Sequence, residues 1–210
     1  MKRFLNAIQK AKSESRERKF SQTWDMSIEL RGMDMKKPES KLNLEVPLPE
    51  GRGKDIKIIF IADSLTEDAK RLADKVLTKP DIEKLSGKKK EIRKLATEYD
   101  SWLAEAPLMP LVGKALGMIL APRGQMPKPV PPKAKIDGLV SLSRRVVKIK
   151  TKDTPVVHAP VGTDKMTDEQ IAKNALHVFN MVSEKLPKGR NNVKSVHVKL
   201  TMGKSVKVEL

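Results

Sequence analysis

The stretch that most constrains the fold is residues 192–210, where apolar and polar residues alternate. The apolar positions are Val196, Val198 and Leu200, followed by Val206, Val208 and Leu210. A period of two residues places alternate side chains on opposite faces of a strand, so the pattern predicts a β-hairpin with one apolar face. Gly203 lies in the connection between the two runs, and because glycine readily adopts a positive φ, we expect it to form the tight reversal.

The polar face of this predicted hairpin is basic. Residues 185–210 include seven Lys or Arg and one acidic residue. A face that carries lysines, hydroxyl groups and an imidazole suits contact with the sugar–phosphate side of a nucleic acid. An ordinary two-faced hairpin in a basic protein explains the spacing equally well, so the alternation alone leaves both interpretations open.

The overall charge narrows the class of partner. The chain of 210 residues has 43 Lys and Arg against 26 Asp and Glu, a formal net charge of +17. This excess predicts a polyanionic partner, with nucleic acid first and an anionic membrane surface second. Aromatic residues make up only 3% of the chain, which argues against a protein that stacks single-stranded bases on a row of rings. Folded, paired RNA or duplex DNA requires fewer rings.

Several other classes of protein are disfavoured. The absence of cysteine excludes disulfides and thiolate zinc sites. His158, His177 and His197 are far apart in sequence, so we expect no metal site and no cofactor. Residues 1–6 become charged before a signal-type apolar run forms, and no stretch approaches the roughly 20 apolar residues of a membrane-spanning helix. These features predict a soluble, cytoplasmic protein that does not bind membranes.

Periodicity predicts further helices and strands along the chain. The predicted helices are 2–18, 66–74, a short helix opening at Pro80-Asp81, 88–98, 108–120, 137–143 and 168–185, the last with a capping box at Thr167 and Gln170. The predicted strands are 24–30, 42–46, 56–62, 76–77, 99–103, 146–150 and 156–161. Strands that alternate with helices in the middle of the chain indicate a parallel, Rossmann-like α/β layer.

Two clusters of Pro, Gly and charged residues, at 47–55 and 151–155, are candidate domain boundaries. The economical architecture is an α+β split domain, with helices on an antiparallel sheet, built from residues 1–51 and 155–210. An α/β Rossmann-like three-layer domain, residues 52–154, is inserted into it.

The motifs expected of nucleotide-binding enzymes and hydrolases are incomplete. Gly51-x-Gly53 lacks the third glycine of a dinucleotide fingerprint and precedes a strand. Gly203-Lys204-Ser205 resembles the end of a phosphate-binding loop, but Val198 stands where its first glycine belongs. No Gly-x-Ser-x-Gly sequence is present. We therefore predict that the protein is not an enzyme. The alternatives that stay open are a nucleotide-binding enzyme and a general nucleic-acid-binding protein.

Two further segments have both a structural and a functional interpretation. Phe20 follows Lys19 directly before the first strand, and its ring either fills the core or packs on a ribose or base. Arg123 lies in the proline-rich, basic segment 121–129, which is either a structural loop or a contact to phosphate.

Four motifs are distinctive when taken together: Lys19-Phe20-x-x-Thr23, Pro122-Arg123-Gly124-x-Met126-Pro127, His158-Ala159-Pro160-Val161-Gly162, and Ser195 with Thr201-Met202-Gly203. In this combination they resemble the ribosomal protein L-one family, the side-stalk protein of the large ribosomal subunit. The resemblance covers the whole chain with the motifs in the expected order, and it is closer to archaeal than to bacterial members. Ala121 and Lys128 depart from the glycine and asparagine that the family often has there.

The resemblance implies a split first domain, an inserted second domain and a defined set of partners. These are the large-subunit rRNA that forms the mobile side stalk, exit-site tRNA whose release the stalk assists, and the protein's own mRNA, whose translation many members repress. It also implies a cytoplasmic protein that is part of the large ribosomal subunit and is a monomer when free.

The resemblance further implies that the split first domain is the main RNA binder, and it implies which residues contact RNA. The cluster comprises Lys19, Phe20, Thr23, Ser195, Thr201, Met202 and Gly203, with additional RNA or structural contacts at His158, Lys199, Lys204 and Arg123. We expect the hydroxyl groups of Ser195 and Thr201 to exchange hydrogen bonds with 2′-hydroxyls, and Met202 and Phe20 to cover sugar faces. The lysines neutralise phosphates.

Overall fold

The computed structural model describes residues 1–35, 41–132, 136–151 and 154–209. The chain divides into two compact units. One unit contains Met1–Lys54 and Arg145–Leu210, and the other contains Asp55–Arg144. Residues 152 and 153 of the second predicted break, and Leu210 of the predicted hairpin, lie outside the described residues.

The helices and strands follow one another in this order. The helices are α1 (Lys2–Ser13), α2 (Thr66–Leu72), α3 (Lys79–Leu85), α4 (Lys89–Glu98), α5 (Met109–Leu120), α6 (Ile136–Arg145) and α7 (Asp168–Lys185). The strands are β1 (Thr23–Leu30), β2 (Asn43–Pro47), β3 (Ile58–Ile61), β4 (Lys75–Leu77), β5 (Ser101–Glu105), β6 (Lys128–Val130), β7 (Val146–Lys150), β8 (Val156–Thr163), β9 (Val193–Leu200) and β10 (Val206–Val208). Short 3-10 turns at Ala106–Leu108 and Gly189–Asn192 precede α5 and β9.

The first unit is built on a four-stranded sheet in the order β10-β9-β1-β8, in which every neighbouring pair is antiparallel. Helices α1 and α7 pack against each other and against this sheet. The strict alternation in β1 places its buried residues on the helix side, and Trp24, Met26 and Ile28 are each at most 2% exposed. The C-terminal hairpin is confirmed, because β9 and β10 pair with Val206 opposite Val198.

A separate two-stranded antiparallel ribbon joins β2 to β7, with Leu44 opposite Ile149. Val46 and Ile149 are fully buried in the same core as the four-stranded sheet. This pairing places β7 in the first unit, whereas the sequence interpretation assigned residues 146–150 to the inserted domain. Local periodicity identified both strands but carries no information about a partner about a hundred residues away.

The second unit contains a parallel sheet in the order β4-β3-β5-β6. All four residues of β3 are buried, as its continuous apolar sequence predicts for a strand covered on both faces. Ile59 and Ile61 join one hydrophobic cluster, and Ile58 and Phe60 join another. The predicted combination of helices with sheets, one of them parallel, is therefore confirmed.

The start of α7 agrees with its local sequence signal, whereas the end of α1 does not. The capping box before α7 is confirmed, since the backbone N–H of Gln170 donates to Thr167 Oγ1 at 3.3 Å and the N–H of Thr167 donates to Gln170 Oε1 at 3.1 Å. Helix α1 ends at Ser13 rather than at residue 18. The hydroxyl groups of Ser13 and Ser15 donate to the carbonyls of Lys10 and Ala11, and such side-chain bonds compete with helical ones.

Candidate nucleic-acid interface

The first feature of the site is a clamp between the end of β9 and the start of β1. The backbone N–H of Thr201 donates to the carbonyl of Thr23 at 3.0 Å. The hydroxyl of Thr201 accepts from the backbone N–H of Thr23 at 3.1 Å and donates to its carbonyl at 3.2 Å. The single hydroxyl proton of Thr201 is therefore used inside the protein, so toward any further partner this oxygen can act only as an acceptor.

Two large hydrophobic side chains project beside this clamp. Phe20 is 51% exposed and Met202 is 60% exposed, although both are apolar. The structure therefore excludes a core position for Phe20 and leaves its ring accessible. We call Phe20, Thr23, Thr201, Met202 and Gly203 the turn cluster.

Gln22 and Asp164 hold the turn cluster together. The backbone N–H of Met202 donates to Gln22 Oε1 at 3.1 Å, and the side chain of Gln22 is buried. The backbone N–H of Gln22 in turn donates to Asp164 Oδ2 at 2.8 Å, and Ser21 Oγ donates to Asp164 Oδ1. Burial by itself would raise the pKa of Asp164, but these hydrogen bonds hold that pKa below its ordinary value. Sequence reasoning missed both residues, since neither belongs to a periodic pattern.

Glycine is needed at residue 203 because there is little room for a side chain, and not because the backbone adopts a positive φ. Its φ is not positive, so the expectation that it forms a left-handed reversal is wrong. A Cβ atom at this position would lie 2.5 Å from Ser15 Oγ and 3.2 Å from Leu200 Cβ. Ser15, just after α1, therefore contacts the turn, and a side chain at residue 203 would require the Ser15 hydroxyl to shift.

A basic cavity of about 640 Å³ adjoins the turn cluster and includes Phe20 in its wall. The charged residues that line it are the cations Lys12, Arg16, Arg18, Lys19 and Lys165 and the acids Glu17, Asp164 and Asp168. Lys12 pairs with Asp168 at 2.8 Å. The surface around Phe20 thus has more cations than acids, which suits a phosphate-bearing partner.

Ser195 lies at the other end of the β1–β9 pair. Leu200 is five positions further along β9, about 17 Å away at the usual rise of a strand. Ser195 is 6% exposed, and its hydroxyl donates to Glu29 Oε2 at 2.8 Å. Lys194 Nζ also donates to Glu29, at 2.9 Å, and the two bonds hold the pKa of Glu29 below its ordinary value. The structure therefore does not bring Ser195 together with the turn cluster.

Other candidate residues line the face of the four-stranded sheet that is turned away from the helices. His158 and His197 both stand opposite Ser27, on either side of β1. Lys199 stands opposite Asp25. Burial raises the pKa of Asp25, and the nearby charges of Lys199 and His158 oppose that rise.

The two remaining candidate cations differ in their surroundings. Lys204 is exposed and follows Gly203 directly in the turn. Arg123 belongs to the second unit, where its guanidinium Nη1 donates to Thr97 Oγ1 at 3.0 Å. Gln125 Nε2 in the same loop donates to the carbonyl of Tyr99 at 3.1 Å. These bonds give the loop a structural role within its own unit.

Comparison with known proteins decides the family. Residues 9–204 match the model of the ribosomal protein L1p/L10e family. The chain belongs to this family. The large ribosomal subunit protein uL1 of Pyrococcus horikoshii is 45% identical over 209 residues, which cover 99% of this chain and 95% of that protein. The uL1 proteins of Methanothermobacter thermautotrophicus and Thermoplasma volcanium are 46% and 38% identical, covering 97% and 96% of this chain and 97% and 94% of theirs.

Membership in the L1p/L10e family confirms the resemblance drawn from the four sequence motifs. The match spans nearly the whole chain, and all the candidate RNA-contact residues lie within 9–204. The three relatives named above are archaeal proteins, in agreement with the archaeal character of the sequence.

The second unit has the sheet edge at which many α/β proteins bind nucleotides, but a carboxylate of the chain occupies it. Glu105 ends β5 and is 2% exposed. It accepts hydrogen bonds from the backbone N–H groups of Asp63 at 2.9 Å, Ser64 at 3.3 Å and Leu65 at 2.8 Å, and from the Ser64 hydroxyl at 2.9 Å. Phosphates of nucleotides are held by N–H groups at this position in such folds. The backbone N–H groups of residues 63–65 already donate to Glu105 and are therefore not available to a phosphate.

Within the part of the chain that the structure describes, no group of three or more His, Cys, Asp or Glu residues is placed to hold a metal ion. The same residues include no helix that is long and apolar enough to span a membrane.

Proposed function

We propose that the protein is a structural constituent of the large ribosomal subunit that binds large-subunit rRNA through the turn cluster. The observation that carries the proposal is the Thr23–Thr201 clamp, which presents the exposed side chains of Phe20 and Met202 beside a basic cavity. The uL1 names of the relatives support the ribosomal assignment.

The turn cluster suits the shallow minor groove of paired RNA, which displays sugars and 2′-hydroxyls. Phe20 and Met202 cover sugar faces, and Thr201 Oγ1 accepts a hydrogen bond from a 2′-hydroxyl. Gly203 contributes through the shape of the turn, because the space that a side chain would need is taken by Ser15 and Leu200. Lys19 and Lys204 are exposed and neutralise phosphates. Ser195 contributes through Glu29, which fixes the far end of the strand pair.

The finer role follows from the family. The bound rRNA forms the mobile side stalk next to the tRNA exit site, and the protein assists release of deacylated tRNA. The same surface binds the protein's own mRNA and represses its translation. The protein acts in the cytoplasm as part of the ribosome, is a monomer when free, and has no enzymatic activity. The occupied sheet edge at Glu105 supports a role without nucleotide chemistry.

The two compact units divide this work. The unit formed by both ends of the chain is the RNA-binding domain I, with helices on an antiparallel sheet. The unit at Asp55–Arg144 is the inserted, Rossmann-like three-layer domain II. The support for this division is that the turn cluster draws on both ends of the chain and on no residue of the middle.

The test is a binding titration of the full chain against a transcript of the rRNA stalk and against a scrambled duplex of equal length. Phe20→Ala and Met202→Ala should each weaken binding to the stalk transcript by roughly 5- to 100-fold, as expected for lost contact with a sugar or base. Both should leave binding to the scrambled duplex unchanged. Met118→Ala and Leu142→Ala are matched controls, since these exposed hydrophobic residues lie in the other unit.

Equal losses on both RNAs, or equal losses in the control variants, would overturn the proposal. Competition by a transcript of the protein's own mRNA leader tests the repressor role separately. If that transcript fails to displace the stalk transcript, only the regulatory part of the proposal is lost.

A further inference from the structure

A second basic groove lies in the same unit, at the end of the β1–β9 pair away from the turn cluster. It has a volume of about 730 Å³ and is lined by the start of α1, the middle of α7 and the start of β9. Its floor includes Phe4 and Phe179, which are 4% and 5% exposed. The charged residues along it are Lys2, Arg3, Arg31, Arg190 and Lys194, against the single acid Glu209. We call this surface the α1 groove.

Two of the three arginines along the α1 groove, Arg31 and Arg190, are held in place. The backbone N–H of Arg31 donates to the carbonyl of Asn192 at 2.7 Å, and Asn192 Nδ2 donates back to the carbonyl of Arg31 at 2.9 Å. Arg31 Nε donates to the carbonyl of Asn191 at 2.9 Å. The guanidinium of Arg190 lies 5.7 Å from the centre of the Phe179 ring. Ordered guanidinium groups lose little entropy when they bind a phosphate.

The cations of the α1 groove are largely uncompensated. Among the described residues, no carboxylate lies within 4.0 Å of Lys2, Arg3, Arg31 or Arg190. All four are exposed at the surface. Lys194 is the exception, because it pairs with Glu29 at 2.9 Å. A concentration of unpaired cations is unfavourable for the free protein and is relieved by a polyanion.

The position of the groove relates it to the turn cluster. Leu30 stands opposite Val193 at this end of β1 and β9, and Trp24 stands opposite Leu200 at the other. The two ends are about 20 Å apart at the usual rise of a strand. The turn cluster and the α1 groove lie at the two ends of strands in a single packed sheet, so one RNA duplex can reach both.

We propose that the α1 groove is a second RNA contact that binds backbone phosphates of the same RNA, without reading sequence. This inference rests on the proposed function, since it takes the RNA on the turn cluster as the source of those phosphates. Arg31 and Arg190 hold phosphate oxygens as fixed two-pronged donors, and Lys2 and Arg3 add charge from the surface.

The first test measures salt dependence in the full chain. Arg190→Gln keeps an aliphatic stem over Phe179, and Lys2→Gln with Arg3→Gln alters side chains that are exposed. Each lost cation should weaken binding roughly two- to fivefold on the stalk transcript and the scrambled duplex alike, and should reduce the salt slope by somewhat less than one. Lys89→Gln with Lys90→Gln removes equal charge from exposed positions of the other unit and is the matched control.

The second test maps the contact, and the absence of cysteine makes it direct. A photocrosslinker on a single introduced cysteine, Arg190→Cys or Met202→Cys, should mark two separate sets of nucleotides in the stalk transcript. Inorganic phosphate and uridine monophosphate serve as small-anion probes in the same binding assay. Neither should bind the wild-type groove at concentrations at which the RNA saturates it.

The outcomes separate this inference from the proposed function. The second contact is overturned if the groove variants lose no more affinity than the lysine control. It is also overturned if crosslinkers on both cysteines mark the same nucleotides. Saturable binding of a free small anion at Arg190, with no effect of the variant on RNA binding, also overturns it. If the wild type does not distinguish the stalk transcript from the scrambled duplex, the proposed function fails, while the salt slopes still decide whether the groove binds phosphates.

Discussion

Thr201 binds Thr23 through both its backbone and its side chain, so one residue closes the end of the β1–β9 pair. Its N–H donates to the Thr23 carbonyl at 3.0 Å, and its hydroxyl accepts from the Thr23 N–H at 3.1 Å. A change at residue 201 therefore affects the shape of the turn as well as any hydrogen bond to RNA.

Thr201→Val should lower the free energy of unfolding of the first unit by about 1 kcal/mol, because it removes the hydroxyl that pairs with Thr23. Binding to the stalk transcript should fall, and binding to a scrambled duplex should not. Thr201→Ser keeps the hydroxyl and should retain both stability and affinity. The measurement is urea unfolding followed by Trp24, with Trp102 replaced by Phe, together with RNA titration. Equal losses for the serine and valine variants would show that the hydroxyl has no role.

Gly203→Ala should destabilise the turn although its φ is not positive. The new Cβ would lie 2.5 Å from Ser15 Oγ, and overpacking of this kind costs about 1–3 kcal/mol. Ser15→Ala removes that oxygen, so the double variant should recover part of the loss, with the contact to Leu200 at 3.2 Å remaining. A double-mutant cycle of unfolding free energies measures the recovery. Additive effects of the two changes would contradict the contact.

Elements whose signals lie within neighbouring residues could be predicted from the sequence. Alternation in residues 24–30 and 195–200 predicted the strands, because each has one face on the helices and one facing away from them. Thr167 and Gln170 predicted the start of α7, because a capping box uses only neighbouring residues. Such elements are local, and a local pattern is sufficient to identify them.

Features that depend on distant segments could not be predicted in the same way. The sequence indicated that Gly203 lies in the turn. Glycine is needed there because Ser15, about 190 residues away in the chain, packs against it. Asp164 binds Ser21 and Gln22, which lie 143 and 142 residues away in the chain. Ser195 has the alternation of an outward-facing residue, yet its hydroxyl is taken by Glu29 of the neighbouring strand.

Glu105 should make the second unit sensitive to acid. Burial alone would raise the pKa of its carboxyl, but hydrogen bonds from Leu65, Asp63 and Ser64 outweigh burial and lower that pKa. A carboxylate whose pKa is lower in the folded state stabilises the fold above the pKa of the unfolded chain. That contribution is lost as the pH falls through the folded pKa.

Glu105→Gln should lower the free energy of unfolding at neutral pH by about 1.5–3 kcal/mol, since an amide cannot accept all these bonds. It should also flatten the decline in stability toward low pH. The reporter is Trp102 in a chain with Trp24 replaced by Phe, unfolded with urea over a series of pH values. Glu83→Gln changes an exposed glutamate of the same unit and is the control. An unchanged slope in the acid range for Glu105→Gln would contradict the assignment.

Asn174 should anchor the segment that leads out of β2 toward the second unit. It is fully buried, and its Oδ1 accepts from the backbone N–H of Glu50 at 3.1 Å. Its Nδ2 donates to the carbonyls of Gly51 and Val161, each at 2.9 Å. Every polar atom of this side chain is used, and removal of the side chain leaves backbone groups without partners, which costs about 1–3 kcal/mol for each buried group.

Asn174→Ala should therefore destabilise the first unit by about 3 kcal/mol or more when the lost bonds are combined. Amide hydrogen exchange at Glu50 should accelerate well beyond the change at β1 amides, because the tie is local. Asn174→Asp keeps the acceptor for Glu50 but loses both donors, and should protect Glu50 while stability still falls. Asn191→Ala is the control, since Asn191 is exposed and offers its backbone carbonyl, not its side chain, to Arg31. Uniform acceleration of exchange across the unit, with no excess at Glu50, would mean that Asn174 supports the core and does not anchor the linker.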